Sequence, residues 1–240
     1  MRKILCEIRK ALFSYRMLCC VIIGLAFLYQ PEIYLHGMEA SFCDMDLGNA
    51  MQTSLGLGVF VMMATVLCTI PYADRYCWER KTRNQMYIQH RQGKLNYAVS
   101  KICATAFSGG CGLTIPFAVF CIIQYFLSPR DLFEPEMVND SFTECIYFFL
   151  YGSAWATIAL AFSTFTISPL ITLAIPLWME RGLRLIAVAF KCDYLLVSDA
   201  IAVQCGSVYD SNQIIIIDIL LFLTGVVIFM IRTVQMNYDA

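Results

Sequence analysis

The residues best placed to do chemistry in this sequence are a few charged side chains inside otherwise apolar stretches. Glu180, Arg181 and Arg184 lie within residues 168–190, and Asp218 directly follows four isoleucines. A charge at the centre of a bilayer costs roughly 2.5–3.5 kcal/mol on insertion scales, so such residues usually line a substrate or ion pathway. Glu180 and Arg184 also have the i,i+4 spacing that allows two side chains to pair on a helix.

Two interpretations of this charged cluster are open. In the first, the helix ends near Met179, the charges lie at the outer headgroup level, and residues 182–190 form a partly re-entrant hairpin. In the second, the charges face the bundle interior and line a substrate pathway or an outer gate. Pro176, one turn earlier, predicts a kink in either case. Asp218 is the other pathway candidate, although its depth also allows a headgroup-level position.

Enzyme motifs are missing from the chain. No G-x-x-x-x-G-K-[ST], G-x-S-x-G or H-E-x-x-H pattern occurs. The two histidines, His36 and His90, lie outside the apolar stretches, so an intramembrane protease would lack its base or metal ligands. We therefore expect no catalytic residue, metal site or cofactor in this chain. Gly109 and Gly110 are interpreted as sites of close helix packing.

Twelve cysteines invite a metal or disulfide interpretation, but none forms a C-x-x-C pair. Most lie in apolar stretches, where cysteine acts as a small hydrophobic residue. Cys43, Cys192 and Cys205 are predicted to lie on the outer side. A bridge between two of these three residues is therefore an open alternative.

The composition predicts that most of the protein surface faces lipid. Hydrophobic residues make up 59% of the 240 residues, charged residues only 15%, and the mean hydropathy is +0.65. A soluble domain has about 25% charged residues, and a bilayer core about 30 Å thick needs roughly 20 apolar residues of helix. The sequence predicts an all-α polytopic integral membrane protein, with residues 1–240 as a single domain. Its six predicted spans are residues 11–29, 51–72, 102–127, 145–166, 168–190 and 213–231.

Charge asymmetry predicts the orientation of these spans, because Lys and Arg are retained on the cytoplasmic side. The tail up to Arg16 has five basic residues against one acid, and the segment 74–101 has seven against two. The segments between them and after them are acidic. Both termini are therefore predicted to be cytoplasmic, with a first span that is retained, since no signal-peptide cleavage pattern follows it. The uncharged turn before Pro169 must then be cytoplasmic, and Pro169 suits the first turn of a helix.

The basic segment 74–101 has a helical pattern as well as a charge. Nothing breaks a helix over residues 79–91, and Gly93 stands where a glycine would terminate one. Met86, Tyr87 and Ile88 give this helix apolar side chains of the kind that a partner protein binds. The alternative is a solvated loop that touches anionic lipid.

The order of these features resembles the six-helix permease subunits of ABC exporters of the second type. That family has an inner-loop pattern similar to E-[RK]-x-x-G…R…Y-x-x-x-K. Here the pattern appears as Glu79, Arg80, Arg91, Tyr97 and Lys101. Asn84 lies near a position where the family often has glycine, which leaves the conformation of the local turn open.

The resemblance implies that the inner loop is a coupling helix, which docks on a separate cytoplasmic ABC ATPase that binds ATP and Mg²⁺. It also implies a dimer with a second copy or a sister permease in the plasma membrane, and it suggests a Gram-positive bacterium. No nucleic-acid partner is expected. The predicted coupling residues are Glu79, Arg80, Arg83, Met86, Tyr87, Ile88, Arg91 and Lys101. The alternatives are a secondary transporter or an accessory membrane assembly protein without ATPase coupling.

Overall fold

The computed structural model describes residues 2–36, 47–57, 59–82, 84–127, 135–166, 168–190 and 211–235. These residues are helical apart from short turns and include no β-strand, which confirms the predicted all-α class for this part of the chain. The helices are α1 (Arg2–Leu12), α2 (Tyr15–His36), α3 (Leu47–Leu57), α4 (Phe60–Leu67), α5 (Arg75–Lys81), α6 (Asn84–Gln92), α7 (Lys94–Leu127), α8 (Pro135–Phe162), α9 (Pro169–Phe190) and α10 (Ser211–Gln235).

Three of the described helices are long and apolar enough to cross a membrane. These stretches are Lys94–Leu127 in α7, Ser141–Phe162 in α8 and Ile215–Thr233 in α10. Two bent helix pairs raise the number of candidate spans to as many as five: α1 with α2, bent by 48°, and α3 with α4, bent by 67°. The chain thus has the apolar helices of a membrane protein, with three to five candidate spans against the six predicted.

Helix α9 differs from these candidates because of its charges. Every 18-residue stretch of α9 contains Glu180, Arg181 and Arg184, which is too many charges for a simple apolar span. The helix nevertheless continues through them to Phe190, so the interpretation in which it ends near Met179 is wrong. Pro176 lies inside α9, and the helix begins at Pro169 as predicted, because proline needs no hydrogen-bond partner in a first turn.

Small residues allow α7 and α8 to pack backbone against backbone. A Cβ atom added at Gly109 would lie 2.3 Å from the Ala156 Cβ and 2.7 Å from the Gly152 carbonyl oxygen. One added at Gly110 would lie 2.6 Å from the Phe149 ring. No side chain fits at such distances, so the prediction that Gly109 and Gly110 serve helix packing is confirmed.

The basic segment forms two helices rather than the single predicted helix over residues 79–91. Helix α5 ends at Lys81 and α6 begins at Asn84. Thr82 lies at the C-terminus of α5, and its hydroxyl donates to the Trp78 carbonyl (2.9 Å) and approaches the Glu79 carbonyl (3.3 Å). These hydrogen bonds pair carbonyl oxygens at the end of α5. Helix propensity over residues 79–91 does not reveal this break between two helices.

The predicted stop at Gly93 is confirmed. Gly93 has a φ of 81°, which an L side chain rarely adopts, and its N–H donates to the Gln89 carbonyl at 2.8 Å. A single residue therefore turns the chain from α6 into the 34-residue helix α7.

Candidate functional site

Lys101 is a buried lysine whose side chain contacts residues of α1, of α5 and of the turn before α5. The Lys101 side chain is 2% exposed, and its Nζ lies 2.5 Å from Glu79 Oε1 and 3.3 Å from Glu7 Oε2. It also donates to the Tyr72 hydroxyl at 2.9 Å. The Tyr97 hydroxyl donates to Glu79 Oε2 at 2.6 Å, and the Tyr72 hydroxyl donates to Glu7. We call Glu7, Tyr72, Glu79, Tyr97 and Lys101 the ion-pair network.

Two further cations lie at the edge of the network, one beside each of its two carboxylates. Arg75 Nε lies 3.6 Å from Glu79 Oε1, and Lys10 Nζ lies 3.0 Å from Glu7 Oε1. Both of these side chains are more than half exposed, whereas Lys101 is enclosed between two tyrosine rings at 5.1 and 5.6 Å. Buried charges are tolerated when they are paired and hydrogen-bonded, and the network satisfies that condition for Glu79 and Lys101.

The hydroxyl of Tyr72 remains a hydrogen-bond donor in this setting. Burial, and secondly the negative charge of Glu7, raise the pKa of Tyr72 well above its usual value. The protonated phenol therefore both donates to Glu7 and accepts from Lys101. The network thus joins α1, the turn before α5, α5 itself and the first turns of α7.

Helix α5 is also held at its other side. The Arg80 Nη1 donates to the Thr164 carbonyl at 2.7 Å, in the turn between α8 and α9. The Cys77 thiol lies 3.2 Å from the Thr172 hydroxyl, and burial raises the pKa of this thiol, which keeps it protonated. Helix α5 is therefore fixed between the network and the α8–α9 turn.

Four segments of the chain meet at this end of the helix bundle. Arg16 Nη1 lies 2.5 Å from Asp74 Oδ1, which joins the start of α2 to the turn before α5. The guanidinium of Arg232, near the end of α10, lies 4.4 Å from the centre of the Phe165 ring in the α8–α9 turn. The amino-terminal helix, the basic segment, this turn and the end of α10 thus lie together.

Helix α6 has one side turned inwards and one turned outwards. Gln89 is buried, and Ile88 is half-buried against a core that includes Tyr76, Tyr97 and Phe229. On the opposite side Met86 is 60% exposed and Tyr87 is 77% exposed, with His90 and Arg91 exposed one turn later. We call Met86, Tyr87, His90 and Arg91 the α6 outer face.

The predicted coupling residues therefore do not form one surface. Glu79 and Lys101 lie in the buried network, and Arg80 points to the α8–α9 turn. Met86, Tyr87 and Arg91 lie on the outer face, whereas Ile88 faces the core. Arg83 lies outside the described residues. The resemblance grouped these residues by their position in a pattern. In the structure they lie on three helices, α5, α6 and α7, and their side chains point in different directions.

Three members of the network, Glu7, Tyr72 and Tyr97, were not among the predicted site residues, although Tyr97 is part of the inner-loop pattern. Glu7 is 94 residues from its partner Lys101, and Tyr72 is 29 residues from it. The signal for Glu7 was present, since it is the one acid in a strongly basic tail. Nothing in the sequence distinguished Tyr72 from the other aromatic residues of the apolar stretches.

The four predicted pathway residues fall in two places. On α9, Glu180 is 6% exposed, and Arg181 Nε lies 3.3 Å from Glu180 Oε2, so the adjacent arginine pairs with this acid. Arg184 is half-buried on the same helix. Asp218 lies on α10 and lines a different region, a cavity between α1, α7, α8 and α10.

The cavity beside Asp218 has a volume of about 470 Å³. Among the described residues its lining is apolar except for Asp218, Ser153 and the Cys103 thiol. Ser153 donates its hydroxyl to the Leu150 carbonyl of its own helix, at 2.8 Å. Asp218 is 2% exposed, and in the described part of the chain neither of its carboxylate oxygens has a hydrogen-bond partner.

Cysteines and metal ligands add no further site within the described residues. These residues contain no group of three His, Cys, Asp or Glu side chains arranged to hold a metal ion. Their nine cysteines are free thiols. The three cysteines of the suggested outer disulfide, Cys43, Cys192 and Cys205, lie outside the described residues.

Comparisons with protein-family models, with curated proteins and with solved structures found no match to this chain. The described residues are all-helical and include three to five candidate membrane-spanning helices, which are compatible with a helical membrane protein.

Proposed function

We propose that the chain is the transmembrane permease subunit of an ATP-driven exporter and works as a dimer with a second copy or a sister permease. A separate cytoplasmic ABC ATPase binds ATP and Mg²⁺, and its movements reach the permease through α6. The chain itself is not an enzyme. The resemblance, which motivates this proposal, also suggests the plasma membrane of a Gram-positive bacterium as its location.

The observation that carries the proposal is the exposed apolar side of α6, a short helix that packs on the bundle through Ile88 and Gln89. Met86 and Tyr87 are large apolar side chains that are exposed outside the candidate spans. Isolated exposed apolar residues are common, but two adjacent ones beside basic Arg91 on a short helix are typical of a protein-binding surface. Gly93 connects α6 directly to α7, and the ion-pair network joins the preceding helix α5 to α7, so a force on α6 would be transmitted to a long apolar helix.

The arrangement at this end of the bundle supports six spans with both termini in the cytoplasm. The tail before Arg16, the basic segment, the α8–α9 turn and the end of α10 are the segments predicted to be cytoplasmic, and they lie together in the structure. These four segments lie on the same side of the membrane when the chain crosses it an even number of times between one segment and the next. Between the α8–α9 turn and the end of α10, this requires that both α9 and α10 cross the membrane, although α9 has three charges.

Co-purification with the ABC ATPase tests the docking function. The double variant Met86→Asp/Tyr87→Asp places two carboxylates on the α6 outer face, and we expect the ATPase to be lost from the purified complex. Ile88 is left unchanged because it packs against the core, and its replacement would test folding instead. Leu95→Asp/Asn96→Asp is the matched control, since it adds the same charge at exposed positions on α7.

The docking function requires that the control pair retains the ATPase while the α6 pair loses it. Equal retention by both variants would contradict docking through α6. Equal loss by both would show that the charge of the whole basic segment matters, rather than the α6 outer face, and would also contradict the proposal.

A secondary transporter is the second candidate function, and Asp218 is the observation that favours it. Buried carboxylates within spans mark ion and proton pathways in many transporters. The two functions differ in their energy source. Transport by the purified chain in vesicles, driven by an ion gradient without an ATPase, would support the second function and contradict the first.

A further inference from the structure

We propose that the cavity beside Asp218 binds an organic cation with an apolar body, such as a quaternary ammonium or phosphonium ion. As a binding site this inference stands without the permease function. Only its extension to a transported substrate rests on the function proposed above.

The depth of Asp218 is the first argument. Phe229 on the same helix packs edge-to-face on Tyr76 of α5, at 5.2 Å between ring centres. Asp218 precedes Phe229 by eleven residues, which at 1.5 Å per residue places it about 16 Å further along α10. A hydrocarbon core is about 30 Å thick. Asp218 therefore lies about half of that thickness from the level of Tyr76, three residues inside the start of the candidate span Ile215–Thr233.

The missing partner of this carboxylate is the second argument. A buried charge normally pairs with an opposite charge or accepts several hydrogen bonds, since otherwise its burial costs several kcal/mol. Glu79 and Glu7 in the same structure follow that rule by pairing with Lys101. Asp218 has no such partner among the described residues, and it faces an open cavity. A bound cation would supply the partner.

The aromatic lining identifies the kind of cation. Phe107, Phe149 and Phe222 line the cavity together with Asp218, and the rings of Phe107 and Phe149 lie 5.7 Å apart. The faces of aromatic rings attract organic cations, and quaternary ammonium groups are commonly bound in this way. A metal ion is a poor fit, because Mg²⁺ and Ca²⁺ need six or more oxygen ligands, whereas the side-chain oxygens of the described lining are those of Asp218 and Ser153.

The cavity has a suitable size and an entrance. Its volume of about 470 Å³ lies within the roughly 300–1,000 Å³ of small-molecule sites. Phe107 and Ile219 at its rim are 42% and 45% exposed, on the side of the bundle that lipid would surround. An amphiphilic cation dissolved in the membrane could therefore enter from the side, with its charge moving towards Asp218.

The test uses the full chain, purified without any ATPase and reconstituted in lipid nanodiscs. Equilibrium binding of radiolabelled tetraphenylphosphonium is measured, and binding to empty nanodiscs is subtracted. This probe is permanently charged and apolar, so its affinity reports on the carboxylate and the rings. We expect saturable binding, which Asp218→Asn weakens roughly 10- to 100-fold by removing the charge but little of the volume.

Three further variants separate charge from shape. Asp218→Glu retains the charge and should bind within a few-fold of the natural chain. Ala106→Phe fills the cavity while Asp218 remains, and we expect it to abolish binding. Leu220→Ala changes an exposed residue of α10 outside the cavity lining and should leave the affinity unchanged. Asp218→Asn should unfold at a temperature no lower than that of the natural chain, because it removes an unpaired buried charge.

Two results would overturn the inference. One is the absence of saturable binding to the natural chain above the empty nanodiscs. The other is equal affinity of the natural chain and Asp218→Asn. Since no ATPase is present, neither result bears on the docking of α6, and loss of docking would leave this binding unaffected.

Discussion

Lys101 links three of the described helices through a single ammonium group. Its ammonium group lies between carboxylates from α1 and α5 while it belongs to α7. Such a buried pair adds little stability compared with apolar residues of the same shape, but removing one partner is costly because a charge is left uncompensated. The network should therefore behave as a unit when its members are replaced.

Replacement of Lys101 by methionine tests this at the residue scale. Lys101→Met leaves Glu7 and Glu79 without their shared cation, and we expect the free energy of unfolding to fall by roughly 3–5 kcal/mol. The measurement is unfolding of the purified chain in mixed micelles, followed by circular dichroism. Lys10→Met, at a side chain that is 55% exposed, is the matched control and should cost about 1 kcal/mol or less.

A triple variant distinguishes charge balance from the loss of a single side chain. Glu7→Gln/Glu79→Gln/Lys101→Met removes all three charges together and should recover most of the stability lost in Lys101→Met. If the triple variant is less stable than Lys101→Met, the network is held by its individual hydrogen bonds and the charge-balance argument is wrong.

At the scale of the elements, two short helices connect the ion-pair network to the exposed α6 outer face. Helix α5 is fixed on both sides, by Glu79 and by Arg80. Helix α6 is attached more lightly, through Gln89, Ile88 and the turn at Gly93. This difference is consistent with the proposal that α5 is part of the bundle while α6 provides a binding surface for a partner.

Gly93 determines the direction in which α7 leaves α6. Gly93→Ala places a Cβ atom at a φ of 81°, and we expect a loss of about 1–2 kcal/mol in the free energy of unfolding. Gly182→Ala is the matched control. Gly182 lies inside α9, where an added Cβ atom meets nothing within 4 Å, so this change should stabilise the chain by about 0.5–1 kcal/mol. The same micelle unfolding experiment compares the two variants.

The two glycine substitutions must change stability in opposite directions. A stabilising effect of Gly93→Ala would mean that residue 93 can adopt a right-handed conformation and continue α6 into α7. In that case the direction of α6 would not depend on this turn.

At the scale of the whole molecule, the ion pairs of Asp74 with Arg16 and of Lys101 with Glu7 and Glu79 lie at one end of the bundle. Arg16, Arg80 and Arg232 each join a different segment of chain there. Away from this end the contacts between α7, α8 and α10 depend on glycine and apolar side chains. This distribution is what the positive-inside rule expects of a membrane protein with one cytoplasmic end.

Reporter fusions test the proposed orientation. Green fluorescent protein fused after residue 235 should be fluorescent, and alkaline phosphatase fused there should be inactive, because the end of α10 is predicted to be cytoplasmic. Fusions after residue 127 are the control and should give the reverse result. Active phosphatase after residue 235 would mean an odd number of crossings and would contradict six spans with both termini inside.

Local signals explain what could be predicted from the sequence. Composition predicted the apolar helices, Pro169 predicted the start of α9, and Gly93 predicted the end of α6. Each of these features depends on residues a few positions apart, for which backbone sterics and hydrogen bonding are sufficient. The charges also predicted that the basic segments lie together at one end, because Lys and Arg residues are retained on the same side of the membrane.

Only the tertiary structure determined which charged residues meet. Glu7 and Lys101 are 94 positions apart, and their pairing depends on how α1 packs on α7. Tertiary contacts likewise turned Glu79 inwards and Met86 outwards, and placed Asp218 at a cavity that Glu180 does not line. The apolar helices could be predicted from the sequence, since they depend on local composition. The sites are made of side chains from distant helices, so they exist only after those helices have packed.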